Sequence, residues 1–369
     1  MLLNTIICQP IIVVSSIEVN GLMALNGDYR FLKACRREPT DVTPVWFMRQ
    51  AGRYMKAYRD LKEKFSFLEM CRTPELATEV TLQPLNILGV DAAIIFADIL
   101  LPLEPMGTGL EFTVGDGPSI PRPVRTHQDV ENLRPVNAEE QLGYVGQAIK
   151  MVRAELEGKM PLIGFSGAPF TLASYMVEGG KSKDFNITKL LMYEHPETWR
   201  LLMEKVSEVL IDYLKMQVKA GAQTLQVFDS WIGCIGPHDY REFILPYTKK
   251  VLDGVSFLGV PVINFSTGTS AMLNLIYQAG GDVMGFDWRV HLDEAWKAVG
   301  YEKAIQGNLD PSVLFAPISV IRERVNDILK RANGKPGHIF NLGHGILQHT
   351  PVDHVKAVVD MVHEYRHEL

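Results

Sequence analysis

The stretch PVWFMRQAGRYMKAY, residues 44–58, changes character halfway along. Residues 45–48 form an apolar, β-prone run short enough to be a buried strand. Arg49 and Arg53 follow at once, with Gln50, Ala51 and Gly52 between them, before a helical pattern begins. A buried strand that stops at two cations and turns into a helix is the opening of a βα unit. The same change of period recurs down the chain. Apolar runs at 92–96, 162–165, 224–228, 262–265, 283–286, 304–306 and 339–342 alternate with longer amphipathic stretches. Most are nearly continuous in hydrophobicity, as parallel strands buried on both faces should be.

The intervening segments carry helix signals. Thr73, Pro74 and Glu75 supply a cap, a first-turn proline and an early acid, and Gly89 marks the end of that helix. Leu202, Val206, Val209, Leu210, Tyr213 and Val218 share one face ahead of Gly221. Residues 352–365 repeat the pattern as a last helix. One segment breaks the alternation: GLEFTVGDGPSIPRP, residues 109–123, reads as a β-hairpin set into a long loop. Eight βα units without a linker predict an α/β fold, a single-domain (β/α)₈ TIM barrel over residues 23–369. The rival, an open doubly wound sheet, calls for a glycine-rich phosphate loop after an early strand, and no G-x-G-x-x-G follows any of these runs.

Composition limits the partners. Of 369 residues, 47% are apolar and 22% charged, an ordinary globular balance. A net charge of -6 with no long basic run argues against nucleic acid, so an anionic ligand needs a local cationic pocket. No apolar run is long enough to span a membrane. Four scattered cysteines without a C-x-x-C pair fit reduced thiols and a cytoplasmic setting. Residues 1–22 hold no Lys or Arg ahead of their apolar run, unlike a secretory signal. They are expected to be an N-terminal extension or a mis-assigned start, with Met23 opening the folded chain.

In a barrel, functional groups gather where strands finish. Those positions hold Arg49 and Arg53, then Asp98, then Ser166 and Gly167 with Tyr175 further on. Asp229, Ser230, Ser266, Asp287, Asn308, Asp310, Asn341 and His344 complete the set. Arginine binds carboxylates bidentately and keeps its charge, so a pair at one strand end points to a multiply carboxylated substrate. Gly52 would let the backbone approach it. Plainer readings stand beside these: a solvated helix face for the arginines, a helix cap for Asp98, a loop feature for His344 and an N-cap for Asp310 before Pro311. Two look-alikes are declined. GGKS at 179–182 lacks the first P-loop glycine and a preceding strand, and HEYRH at 363–367 leaves no room for a downstream third zinc ligand.

Together, PVWFMRQAGRY, DAAIIFADIL, GFSGAPFTLASYMVEGG, QVFDSWIG, MGFDW, QGNLDP and FNLGHGI resemble the uroporphyrinogen decarboxylase family, in order, from about residue 26 onward. The resemblance implies a cofactor-free, metal-free, dimeric (β/α)₈ enzyme that removes CO₂ from the four acetate side chains of uroporphyrinogen III. It implies substrate binding by Arg49, Gln50, Ala51, Gly52, Arg53, Asp98, Tyr175, Ser230 and His344. Asp98 and Arg49 are implied to be catalytic, with the ring-proton donor open among Arg49, His344 and water. Thr267 departs from the family, which carries a basic residue there. Corrinoid-linked methyltransferases share the fold but bind zinc through His-x-Cys, and no His-x-Cys occurs in this chain.

Overall fold

The computed structural model describes residues 27–366 apart from 114–116 and 157. The readings placed on residues 1–22 and on His367 therefore fall outside the described residues. Seven parallel strands form one curled sheet: β1 (Ala93–Ile94), β4 (Leu162–Gly167), β5 (Thr224–Asp229), β6 (Val262–Ser266), β7 (Val283–Phe286), β8 (Ala304–Gln306) and β9 (His338–Ile339), adjacent in that order. β2 (Glu111–Thr113) and β3 (Gly117–Ser119) make the expected antiparallel hairpin, which docks through Ser119 on Gly180.

The eighth place in the ring belongs to the opening stretch, in a form other than the expected four-residue strand. Val45 alone bridges to Phe340, just after β9. On its other side the Val45 carbonyl accepts from Asp91 N at 2.8 Å, just before β1. The barrel closes there. Beyond Trp46, side-chain amides replace a strand partner: Phe47 N donates to Gln50 Oε1 at 3.2 Å and Met48 N to Asn341 Oδ1 at 3.2 Å. With its amides satisfied in this way, the segment has no need of a ladder. Arg49 then turns out of it with a left-handed φ of 60°.

Two apolar cores separate inside from outside. Trp46, Ala92, Ile163, Ile263, Val283, Ala304 and Ile339 meet inside the ring near the strand starts, and Phe31 and Leu32 of helix Arg30–Cys35 close that end. Because side chains alternate along a strand, the next residues face outward into the larger core under the helices. Above the inner layer a polar chain crosses the barrel: Trp46 Nε1 donates to Gln306 Oε1 at 3.0 Å, and Gln306 Nε2 to Gln226 Oε1 at 3.1 Å.

The helix expectations hold with two adjustments. Helix Pro196–Ala220 ends at Gly221 in the left-handed region, and helix Val352–Glu364 closes the chain as read. The helix beginning at Pro74 stops at Leu82, because Pro84 interrupts it, and Gly89 instead caps the short helix Leu85–Leu88. Ser166, Gly167, Asp229 and Ser266 lie within their strands rather than past them.

Candidate active site

The strands deliver their C-terminal ends to one mouth, and the Arg49 turn is the first element there. Gln50, although beside Arg49 in sequence, turns inward: it is buried, and its Nε2 donates to Ala92 O at 3.1 Å. Its carbonyl accepts from Tyr54 Oη at 2.6 Å. Gln50 thus fastens the turn to the barrel. Ala51 packs against the outer core. A Cβ at Gly52 would meet Arg49 O at 3.4 Å, an ordinary contact, so the unliganded chain imposes no steric demand for glycine there.

Arg49 and Arg53 are exposed, and neither guanidinium has a carboxylate or carbonyl partner among the described residues. The loop carrying His344 is tied to this turn by Ile346 N donating to Met48 O at 2.9 Å. That loop packs closely through its glycines. A Cβ at Gly343 would stand 2.6 Å from Trp288 N, and one at Gly345 would stand 2.5 Å from Arg49 Cδ.

Asp98 follows β1, the strand next to the Arg49 segment in the ring. Its Oδ1 accepts from Leu100 N at 2.8 Å, a local turn bond; the 3-10 helix Leu101–Leu103 that follows has Leu100 as its N-cap and no side-chain cap. Oδ2 has no partner among the described residues. Burial raises the Asp98 pKa above the usual carboxylate range, against the Leu100 amide and the Arg49 charge, which favour the ionised form. Tyr175, on helix Pro169–Glu178, is buried, and desolvation followed by the Asp98 charge pushes its phenol up to about 12. Its ring meets Trp231 edge-on at 5.9 Å.

Ser230 follows β5 next to Trp231 and is half-buried. Its carbonyl accepts from Thr267 Oγ1 at 2.7 Å, while its own hydroxyl has no partner among the described residues. His344 is half-buried, and its Nδ1 accepts from Gly345 N at 2.8 Å, which assigns the proton to Nε2. Burial first, then the Arg49 charge, lowers the His344 pKa to about 4. At neutral pH it is an uncharged donor.

The structure therefore brings Asp98, Tyr175 and His344 each within electrostatic reach of Arg49, and Tyr175 within reach of Asp98. Several other strand-end residues serve the scaffold instead. Asp229 points outward to Thr171, whose hydroxyl donates to it at 2.8 Å. Asn308 Nδ2 donates to the carbonyls of Asp287 and Val290, and Asp310 caps Ser312 N. Sequence reasoning missed Trp231 and Arg289, although one directly follows Ser230 and the other lies two residues after Asp287. His363 of the declined zinc look-alike bonds Asp91 at 2.8 Å, and no group of three or more potential metal ligands occurs among the described residues.

These features define a (β/α)₈-barrel enzyme with its candidate site at the C-terminal mouth. The family model described as uroporphyrinogen decarboxylase matches residues 26–365, and the chain belongs to that family. A uroporphyrinogen decarboxylase of Sorangium cellulosum is 60% identical over 334 residues, covering 90% of this chain and 95% of its own. One from Carboxydothermus hydrogenoformans is 58% identical with the same coverage. A methyltransferase from Methanosarcina mazei superposes with a TM-score of 0.76 over 90% of this chain and 96% of its own, at 19% identity, a likeness of fold alone.

Proposed function

We propose that this chain decarboxylates the four acetate side chains of uroporphyrinogen III to give coproporphyrinogen III, without a cofactor. In this reading residues 23–369 act as one barrel domain, in a cytoplasmic homodimer; no helix among the described residues is long and apolar enough to cross a membrane. The observation that carries the reading is a pair of exposed, carboxylate-free arginines, Arg49 and Arg53, with Asp98, one oxygen open, within electrostatic reach of Arg49.

Loss of CO₂ from an acetate on an electron-rich pyrrole needs an electron sink. A proton added to the ring carbon makes a cationic iminium. The electrons of the breaking C–C bond then neutralise it, and a second proton exchange restores the ring and leaves a methyl group. The net change consumes one proton and releases one CO₂. Asp98 Oδ2, facing the ring N–H groups, stabilises the cation as it forms. Arg49 orients the departing acetate and Arg53 holds other carboxylates, so binding supplies alignment. His344 at neutral pH has no imidazolium proton to give, and its Nε2–H acts as a hydrogen-bond donor to the substrate. Ser230 Oγ and the Tyr175 phenol add neutral donors on the far side.

Anaerobic incubation of the purified protein with uroporphyrinogen III, followed by chromatography, tests the reading. Hepta- through tetracarboxylic products are expected. Binding with no products would make the protein a tetrapyrrole carrier, and activity lost to a chelator and restored by zinc would return the methyltransferase alternative.

A further inference from the structure

A third arginine stands at the mouth with a different local construction. Arg289 follows β7, and its Nη1 pairs with the carboxylate of Asp287. Asp287 is buried and anchored: it accepts from Gly268 N at 2.8 Å and from Arg289 N at 3.2 Å. The guanidinium lies over the Trp288 ring at 4.5 Å. Despite this fixing, the Arg289 side chain remains 53% exposed. A guanidinium has five N–H donors, and the Asp287 pair occupies Nη1 only, so Nε and Nη2 remain open in a preset orientation.

Its position matters as much as its donors. The Asp287–Arg289 turn packs directly against the His344 loop: a Cβ at Gly343 would stand 2.6 Å from Trp288 N and 2.9 Å from Asp287 Cα. Arg49 packs on Gly345 and the Trp288 backbone on Gly343, so the His344 loop is flanked by the segments that carry Arg49 and Arg289. A cavity of about 340 Å³ opens beside Arg289, lined also by Ser270, Trp288, His291 and Glu294. Asp287 is already bonded on both oxygens, which leaves Glu294 as the other carboxylate lining this cavity beside the open edge of Arg289.

Resting on the decarboxylase reading, we propose that Arg289 is a further substrate-binding residue, holding one carboxylate arm of the tetrapyrrole on the His344 side of the mouth. Arg49 and Arg53 would then grip the substrate from one side and Arg289 from the other, so a polycarboxylate spans the opening.

Steady-state kinetics with uroporphyrinogen III under anaerobic conditions test this on Arg289→Gln and Arg289→Lys. Arg289→Gln should raise KM about tenfold, the size of one lost charge-assisted contact, with kcat within about twofold of wild type. Arg289→Lys should recover most of that loss, and the KM of Arg289→Gln should respond less to added salt. Because Gln also strips a partner from buried Asp287, melting temperatures accompany the kinetics. A KM within twofold of wild type in Arg289→Gln overturns the proposal. So does a fall in kcat at unchanged KM, or a KM raised equally in both variants together with a lowered melting temperature, since each marks a scaffold role. A wild-type protein that neither turns over nor binds the substrate would instead defeat the decarboxylase reading itself.

Discussion

The side chain of Arg49 lies flat against Gly345: a Cβ on Gly345 would stand 2.5 Å from Arg49 Cδ and 2.7 Å from Cγ. A left-handed backbone at Arg49 and a bare glycine almost three hundred residues later together set where the guanidinium points. Gly345→Ala should therefore move the arginine and not the backbone. We expect turnover of uroporphyrinogen III to fall about tenfold to a hundredfold, the scale of a displaced orienting group. The melting temperature should change little, because the exposed Arg49 side chain can swing clear. Wild-type turnover in Gly345→Ala would show that this packing does not serve the reaction.

Asp98→Asn separates charge from the turn bond to Leu100 N. Asparagine can still accept from Leu100 N but cannot stabilise a ring cation. Turnover should drop a hundredfold or more, by analogy with loss of an oxyanion-hole donor with the sign reversed. Stability should hold or rise, since burial already disfavours the Asp98 charge. Near-normal turnover would remove Asp98 from the mechanism and leave it a turn residue bonded to Leu100 N.

Arg53→Ala should act on binding. Arg53 is exposed and has no carboxylate partner among the described residues, so its removal leaves no buried charge behind. A loss of about 1.5–3 kcal/mol in substrate affinity is expected, with kcat nearly unchanged. A kcat defect at normal KM would place Arg53 in the chemistry instead.

Two pH effects of opposite sign follow from the site. His344 has a folded pKa of about 4, below its ordinary 6.5. It therefore contributes stability that is present above about 6.5 and lost as pH falls through about 4. Asp98 is raised, so its contribution is present when protonated and lost as pH climbs through its folded value. Denaturant melts at pH 7 and pH 4.5 should show a smaller acid-side loss in His344→Asn than in wild type. The profile of kcat/KM should have an acid limb above the usual aspartate range, set by Asp98, and no limb near 6.5. An inflection near 6.5 that vanishes in His344→Asn would contradict the neutral assignment.

Much of the barrel was legible because the evidence for it is local. A parallel strand covered on both faces is a short unbroken apolar run, and seven of the expected runs coincide with strands of the sheet. The opening run was legible as buried but not as a bridge. Its short pairing follows from Gln50 and Asn341 taking the Phe47 and Met48 amides, and the second of those contacts joins residues 293 apart. Pro84 was visible and still missed as a break, since its neighbours on both sides keep a helical pattern.

The residue types at the strand ends, and with them the family, were determined by the sequence alone, because motif order and strand period need no knowledge of folding. Which of those side chains share the mouth was decided only by the tertiary structure. Gln50 and Arg49 are neighbours in sequence, yet one is buried against Ala92 O and the other lies open beside Gly345. Asp229 and Asp98 are both strand-end carboxylates, yet one turns outward to Thr171 while the other keeps an oxygen open at the rim. The charge state of His344 likewise depends on burial and on Arg49, a residue far away in the chain. Direction and desolvation are properties of contacts between distant segments, and ring closure makes those contacts.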